Sequence, residues 1–392
     1  MNIIYIGAFR LPNFDAAAAR VLNVSRSLRE SGHQVRFISW GGAQRDQDRA
    51  EDGKWYVDGF QYIVTNELPQ VGMSRIERLW SKYKRGRITK RLLNEWEEHI
   101  DIIISYNNSL CRWLIPFCKE RNIRLISDVT EWYSFNELRP SDWLSYSYEM
   151  LVVQNKIKNK IVISSYLNEF YRTTHNVVVP ATCDSSETKW KENLDYARDM
   201  VGEYGGITLI YAGNPAKKDM VHHIINAVQR LVNEGAGIRF LILGTTRESY
   251  CAQYSSYLHS RVLSKNIQFL GTISQDLIPS FYHQADFMVL IRAQTRKSNA
   301  GFPTKLSESF TSGTPVIANL TSDLSFYLKD GKTGFVVEEP SEKAIYNTLK
   351  EKVLRLSPNQ IKAMKANVKA DARRLDYHAY VEPLRDFMNN LE

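Results

Sequence analysis

The chain has 392 residues, of which 43% are apolar and 24% charged, and this composition excludes a disordered or fibrous protein. Its length exceeds one ordinary core and suits two domains of comparable size. A formal net charge of +8 asks for an anionic partner, whether a nucleotide, a phosphorylated lipid, a membrane surface or nucleic acid. The longest apolar stretches, such as Ile102-Ile103-Ile104, are strand-sized and fall far short of the ~20 residues that span a bilayer. The chain opens directly on an apolar strand with no basic leader, so the expected compartment is the cytoplasm. Cys111, Cys118, Cys183 and Cys251 show no metal-ligand spacing and are expected to be reduced, buried thiols.

In chain order, Asn2 to Gly7 reads as a strand, followed by a loop with Pro12, Asn13 and Asp15. Ala17, Val21, Val24 and Leu28 then recur at helical spacing, Gly32 stops the helix, and Gln34 to Trp40 alternate as a strand. A strand, helix, strand run with a short crossover predicts parallel pairing. The same pattern returns as a strand at 101–105, a helix at 110–120 and a strand at 123–127. A strand at 160–164, a helix at 166–171 and a short strand at 177–179 close this series at Pro180. A second series begins at 207–211. Its helix carries Ile224, Val228 and Leu231, and strands follow at 238–243, 266–270, 286–291, 315–318 and 334–337. The polar stretch 182–206 reads as a linker.

Two consecutive series predict an α/β protein of two doubly wound domains facing across a cleft, residues 1–182 and 183–376. A terminal helix at 377–392, with Tyr380, Leu384 and Phe387 at helical spacing, is expected to pack back on the first domain. Ligands in such sheets sit beyond the carboxyl ends of the strands. Those ends carry Gly7, Ser127, Tyr211, Gly244, Gly271 and Ile291.

The most informative stretch runs from Asn299-Ala300-Gly301-Phe302-Pro303-Thr304-Lys305 through Glu308 to Gly313-Thr314-Pro315. It predicts a loop, a helix of about two turns, a glycine turn and a strand. Pro303 suits the first helical position, where its missing N–H is no loss. The free N–H groups of Thr304 and Lys305 then form an anion site, to which Lys305 adds a full charge. Thr304 and Glu308, four apart, share one helix face; Leu306 and Phe310 form the buried one.

This stretch resembles the donor site of the family 4 glycosyltransferases, which have the GT-B fold of two Rossmann-like domains. Ile163 to Leu167 with Val178 to Asp184 is similar to that family's passage out of the first domain. Tyr211-Ala212-Gly213, with Asn214, Lys217 and Lys218, is similar to its phosphate-binding loop. The resemblance implies transfer of a hexose-type sugar from a nucleoside-diphosphate sugar with retention at the anomeric carbon. It implies no metal ion and no cofactor beyond the donor itself. Lys218, Lys305 and Arg292 are the expected stabilisers of the departing diphosphate. Glu308 is expected on the ribose, and backbone near Gly244 and Thr272 on the base. Two departures stand out. The first of the family's paired glutamates is replaced by Ala300, with Asn299 beside it, and the arginine after the loop glycine is replaced by Asn214.

The first domain is expected to hold a glycan or lipid-linked acceptor. Gly7, Phe9 and Arg20 lie at its first strand–helix junction, with Gly7 passing close to ligand. Asp128 to Tyr133 brings carboxylates and aromatics to a strand end, and Glu131 is the candidate catalytic group there. The segment 75–91 interleaves Arg75, Arg78, Lys82, Lys84, Arg85, Arg87, Lys90 and Arg91 with Leu79, Trp80 and Tyr83. That composition suits an anionic membrane surface or a lipid diphosphate, and equally a solvated face. Nucleic acid is disfavoured because no recognition module accompanies the charge. Asp46-Gln47-Asp48 lies in a polar loop away from the donor stretch. His222 and His223 are adjacent on a helix, which is wrong for shared ligation. The resulting reading is a retaining glycosyltransferase of surface-polysaccharide type, peripheral at the inner membrane face. The alternatives are a catalytically inactive or partner-dependent subunit that binds nucleotide, and a sugar-nucleotide epimerase.

Overall fold

In this computed structural model the described residues are 1–12, 15–69, 72–74, 76–78, 80, 85–106, 111–191, 195–215, 219–260 and 262–392; the side chains of Cys111 and Ser141 fall outside that set. The chain divides into two compact units, Met1–Thr182 with Tyr377–Glu392, and Cys183–Asp376.

In the first unit the strands are β1 (Asn2–Leu11), β2 (Gln34–Gly42), β3 (Trp55–Val57), β4 (Phe60–Val64), β5 (Ile102–Tyr106), β6 (Arg124–Val129), β7 (Asn159–Val162) and β8 (His175–Val178). They form one sheet in the order β3-β4-β2-β1-β5-β6-β7-β8, parallel throughout except for the β3–β4 hairpin. The alternation of β1 sends Ile3 and Tyr5 to one face and Ile4 and Ile6 to the other. Both faces are covered. Val21, Val24 and Leu28 of the helix Ala16–Glu30 pack on the first with Leu384 and Phe387 of the terminal helix Val381–Asn389. Trp40, Leu93 and Leu114 pack on the second. Asp15 caps the first helix by accepting the Ala18 N–H at 2.9 Å, a contact of the kind that contributes about 1 kcal/mol. The helices Arg87–Asn94 and Pro140–Tyr148 go beyond what the spacing singled out.

The second unit holds β9 (Ile207–Ala212), β10 (Ile238–Leu243), β11 (Ile267–Phe269), β12 (Phe287–Leu290), β13 (Val316–Ala318) and β14 (Gly334–Val336). Every pairing is parallel, in the order β11-β10-β9-β12-β13-β14. The chain therefore builds outward from β9 on one side, then crosses to β12 and builds outward on the other. That reversal is the topological switch point of a doubly wound sheet, where a crevice opens at the carboxyl ends of β9 and β12.

The stretch after 182 is not a free linker. Ala197, in the helix Asp195–Val201, is fully buried and donates its N–H to Ser280 Oγ at 3.0 Å. The Cys183 N–H bonds to Leu375 O at 2.9 Å, and Asp376 accepts from the Ser185 N–H at 2.9 Å. Small buried groups at Ala197 and Ser280 let a polar-looking segment dock on the unit. Among the described residues, no helix is long and apolar enough to cross a membrane.

Candidate functional site

The switch point of the second unit is built from backbone first. Gly213, directly after β9, has φ +126°, and Gly244, directly after β10, has φ +99°. A Cβ on Gly244 would lie 2.5 Å from Gly213 C, so only glycine permits the approach of these two strand ends. Gly213 N–H bonds to Leu243 O at 3.1 Å, Gly244 N–H to Gly271 O at 2.6 Å, and Gly271 N–H to Thr245 O at 3.1 Å. The carboxyl ends of β9, β10 and β11 are thus laced together. Asn214 and Thr272, which follow the glycines, are exposed.

Charge gathers beside Gly213. Asp219, whose side chain is 1% exposed, accepts from Tyr211 Oη at 2.6 Å, from Arg292 Nε at 3.2 Å and from Lys305 Nζ at 3.2 Å. Lys305 Nζ lies 4.9 Å from the centre of the Tyr211 ring, and the Lys305 stem covers Gly213, whose missing Cβ would meet Cε at 2.9 Å. Burial, then the Asp219 charge, hold the Tyr211 hydroxyl well above its ordinary value, so it stays a donor. Arg292 leaves the end of β12 with its backbone clamped: its N–H reaches Asn319 Oδ1 at 2.8 Å and its carbonyl takes Asn319 Nδ2 at 2.9 Å. Its side chain is only 6% exposed, and Nη1 is buried without a hydrogen-bond partner. Arg292 therefore contributes field rather than an open hydrogen-bonding surface.

The 299–308 stretch folds as two helices where the sequence suggests one. Arg296–Ala300 is a short helix capped by Thr295, whose Oγ1 accepts the Ser298 N–H at 3.2 Å. Gly301 and Phe302 turn the chain, and Pro303 stands at the N-cap of Thr304–Thr311, one position earlier than expected. Its ring still costs nothing there, because the cap N–H makes no intrahelical bond. Ala300, Leu306 and Phe310 are fully buried, and Phe302 packs edge-on against Tyr327 at 5.6 Å. Asn299 Oδ1 is used locally, accepting the Ser322 N–H at 3.2 Å. Thr304 and Glu308 are half-buried on the helix face away from Leu306 and Phe310. Glu308 accepts from Tyr282 Oη at 3.4 Å. Burial pushes its carboxyl above the ordinary value, against the opposing pull of Lys305, Lys189 and the Tyr282 hydroxyl.

The structure thus brings Gly213, Gly244, Lys305 and Arg292 to one crevice end. Lys218 lies outside the described residues. From sequence Asp219 is only a neighbour of Lys218, and nothing local singles out Tyr282 or Lys189. The signal for Asp219 was an acidic residue next to a lysine pair after a glycine turn, which by itself does not say which cations it will meet.

The first unit carries the remaining candidates. Gly7 lies inside β1, not at its end, because the strand runs on to Leu11. A Cβ there would meet Tyr106 Cβ at 2.7 Å, so the glycine is required by packing on β5. Asp128 is fully buried and committed. It accepts from Arg20 Nη2 at 2.7 Å and Tyr5 Oη at 2.5 Å, while Arg20 Nη1 donates to Val179 O at 2.7 Å. The carboxylate expected to face a ligand is instead the anchor of a buried ion pair, whose breaking at one partner costs roughly 3–5 kcal/mol. The Trp132 ring lies tilted against that of Phe170, with centres 3.8 Å apart. Glu131 is half-buried and accepts from the Tyr133 hydroxyl, which burial and Glu131 hold above its ordinary value. One Glu131 oxygen keeps acceptor capacity for a hydroxyl.

Among the described residues, no group of three His, Cys, Asp or Glu is placed to hold a metal ion. The ring centres of His222 and His223 are 4.3 Å apart. Burial and His223 push His222 down to about 4.

Residues 202–371 match the family model described as glycosyl transferases group 1. No curated protein matches the sequence. The fold is similar to that of sucrose-phosphate synthase from Thermosynechococcus elongatus, with TM-score 0.76 and 16% identity over 100% of this chain and 98% of that one. It is similar to HepE of Anabaena in complex with UDP and glucose, with TM-score 0.70 and 14% identity over 100% of both chains. A third similar structure, trehalose-6-phosphate from E. coli bound with UDP-2-fluoro glucose, has TM-score 0.71 and 11% identity, again over 100% of both chains. The chain has the GT-B fold, and within it residues 202–371 match the glycosyl transferases group 1 model.

Proposed function

We propose that this protein is a retaining glycosyltransferase that moves a sugar from a nucleoside-diphosphate sugar to a glycan or lipid-linked glycan, without a metal ion. The observation that carries the reading is the Lys305–Asp219–Arg292 cluster beside Gly213, at the switch point of a doubly wound sheet. Positive charge is preorganised there, at the start of the helix Thr304–Thr311, where a leaving diphosphate gains negative charge. In the proposed step the bond from the anomeric carbon to the diphosphate oxygen breaks, and a bond from that carbon to the acceptor oxygen forms on the same face. The acceptor's proton passes to the departing phosphate. Lys305 and Lys218 stabilise the diphosphate, Glu308 takes the ribose, and backbone at Gly244 and Thr272 meets the base. Gly301, Phe302, Pro303 and Thr304 shape the donor turn, and Glu131 orients the acceptor.

The proposed compartment is the cytoplasm, at the inner face of the membrane, with surface-polysaccharide synthesis as the setting. Exposed Ile76, Trp80 and Ile88 stand among exposed Arg78, Arg87, Lys90 and Arg91, a mixture that suits an anionic lipid surface. Arg75, Leu79, Lys82, Tyr83 and Lys84 of the same segment lie outside the described residues.

A second reading, a partner-dependent or inactive subunit, draws on one observation: fully buried Ala300 offers no group to a sugar, and Asn299 already serves the Ser322 N–H. The test is a thermal-shift panel with UDP, GDP, dTDP and ADP, followed by transfer assays with the sugar forms of whichever diphosphate binds. Binding a diphosphate at 100 times its Kd stabilises by about 2.7 kcal/mol, which is read as a raised melting temperature. Stabilisation with turnover supports the transferase; stabilisation without turnover supports the inactive subunit. No stabilisation by any of the four removes the donor-site reading.

A further inference from the structure

We infer that Asp219 is the positioning residue of the phosphate site: it holds the Lys305 ammonium over the Gly213 turn, with Arg292 as the fixed cation behind. The inference rests on the donor reading above and adds to it a residue that binds nothing of the substrate itself.

The three side chains differ in freedom. Asp219 is pinned through its backbone, where it bridges Arg292 and where the next residue, Met220, donates its N–H to Ile291 O at 2.8 Å. Arg292 is pinned by the reciprocal bonds with Asn319 and is 6% exposed. Lys305 is 17% exposed and is the member of the trio with access to solvent. A lysine stem carries large rotamer freedom, so a free Lys305 would sample many positions. The bond to Asp219 Oδ2 at 3.2 Å and the Tyr211 ring at 4.9 Å restrict it to one, over Gly213. An ammonium has three donors, so this arrangement leaves it capacity for an anion.

The charge count explains why a carboxylate is needed there. Arg292 Nε and Lys305 Nζ both lie 3.2 Å from the same carboxylate group. With Asp219 ionised, the cluster of two cations and one anion has one net positive charge, and the cations are screened from each other. With a neutral side chain at 219, two cations would face each other across an amide, at low exposure and in a weakly screening interior. Arg292 is more enclosed than Lys305, at 6% against 17% exposure, so Lys305 is the cation that leaves for solvent and its contribution to an anion is lost. If Lys305 is absent, removing the Asp219 charge instead lowers repulsion toward a diphosphate. The effect of the same substitution therefore reverses sign with the Lys305 background, which a merely structural role would not produce.

The experiment is a double-mutant cycle by isothermal titration calorimetry on the full chain. It uses wild type, D219N, K305A and D219N/K305A, titrated with UDP, GDP, dTDP and ADP, and is analysed for the diphosphate that binds wild type. D219N is expected to weaken binding about tenfold when Lys305 is present. In the K305A background it is expected to leave binding unchanged or tighter. Equal loss in both backgrounds, or wild-type affinity in D219N, overturns the proposal while the donor reading stands. No binding of any of the four diphosphates to folded wild type removes the donor reading and the proposal with it. Melting curves accompany each variant. Should D219N not fold, D219E keeps the charge and shifts it by one methylene. It is then expected to cost threefold or more with Lys305 and nothing without it.

Discussion

Two aspartates illustrate how differently the same residue type is used. Asp128 sits at a strand end among aromatics, where a ligand-facing carboxylate was expected, yet Arg20 and Tyr5 consume it. Asp219, a sequence neighbour of Lys218, lies between two cations, Arg292 and Lys305. The difference is set by which cations the fold delivers from 108 residues away in the first case and 86 in the second. Glu308 shows a cost of burying a carboxylate. Burial raises its carboxyl in the folded protein above the ordinary 4.5 of the unfolded chain. A group shifted this way contributes stability that is fully present below the unfolded value and is lost as pH rises through the folded one. E308Q, which cannot ionise, is therefore expected to melt higher than wild type near pH 8, with the gap closing as pH falls toward 4.5. Thermal melts of both proteins from pH 4 to 8 test this, and a gap independent of pH would refute it. On the donor reading, E308Q also weakens nucleoside-diphosphate binding about tenfold, so its stability and its affinity move in opposite directions.

At the scale of elements, local patterns served where packing agreed with them. Val21, Val24 and Leu28 announce a buried helix face, and that face is buried. The β3–β4 hairpin had a readable signal as well, because Asp58-Gly59 joins the strands with φ +48° and +75°, both in the left-handed region. The short helix Arg296–Ala300 had a weaker one: its Thr295 cap is legible only once the turn at Gly301 is known. The two loop glycines separate stability from function. A Cβ at Gly244 would strike backbone at 2.5 Å, which cannot yield without moving β9. A Cβ at Gly213 meets the flexible Lys305 stem, Cε at 2.9 Å. Both positions also demand a strained φ, costing roughly 1–3 kcal/mol. G244A is expected to lower the melting temperature more than G213A. G213A is expected to lose more diphosphate affinity than its stability loss explains, since it displaces Lys305. Calorimetric melts with titrations of both variants check the pair, and equal effects on both readouts would contradict the argument.

At the scale of the whole molecule, the net charge of +8 demanded an anionic partner without choosing one. The fold gathers Lys305 and Arg292 at the switch point of the second unit and leaves a cation-rich surface on the first. If that surface meets lipid, the full chain should sediment with vesicles containing phosphatidylserine and not with phosphatidylcholine alone. The double variant R87E/R91E should then bind at least tenfold more weakly, since each surface cation is worth about 1 kcal/mol. Equal binding to both vesicle types, or none, would refute membrane contact. The sequence alone determined the class of the protein: hydrophobic period two and period 3.6 alternate along it, and strand ends carry glycines where backbones converge. These are local properties, written within a few residues of each other. It also marked the 299–308 stretch and Lys305, because a turn, a helix start and a cation are adjacent in the chain. What only the tertiary structure decided were the partners of buried charge. Asp219 meets Arg292 and Lys305 across 73 and 86 residues, and Arg20 meets Asp128 across 108. A charge's role depends on the dielectric and the counter-charges around it, and those are set by chain crossings in the sheet rather than by neighbours in sequence.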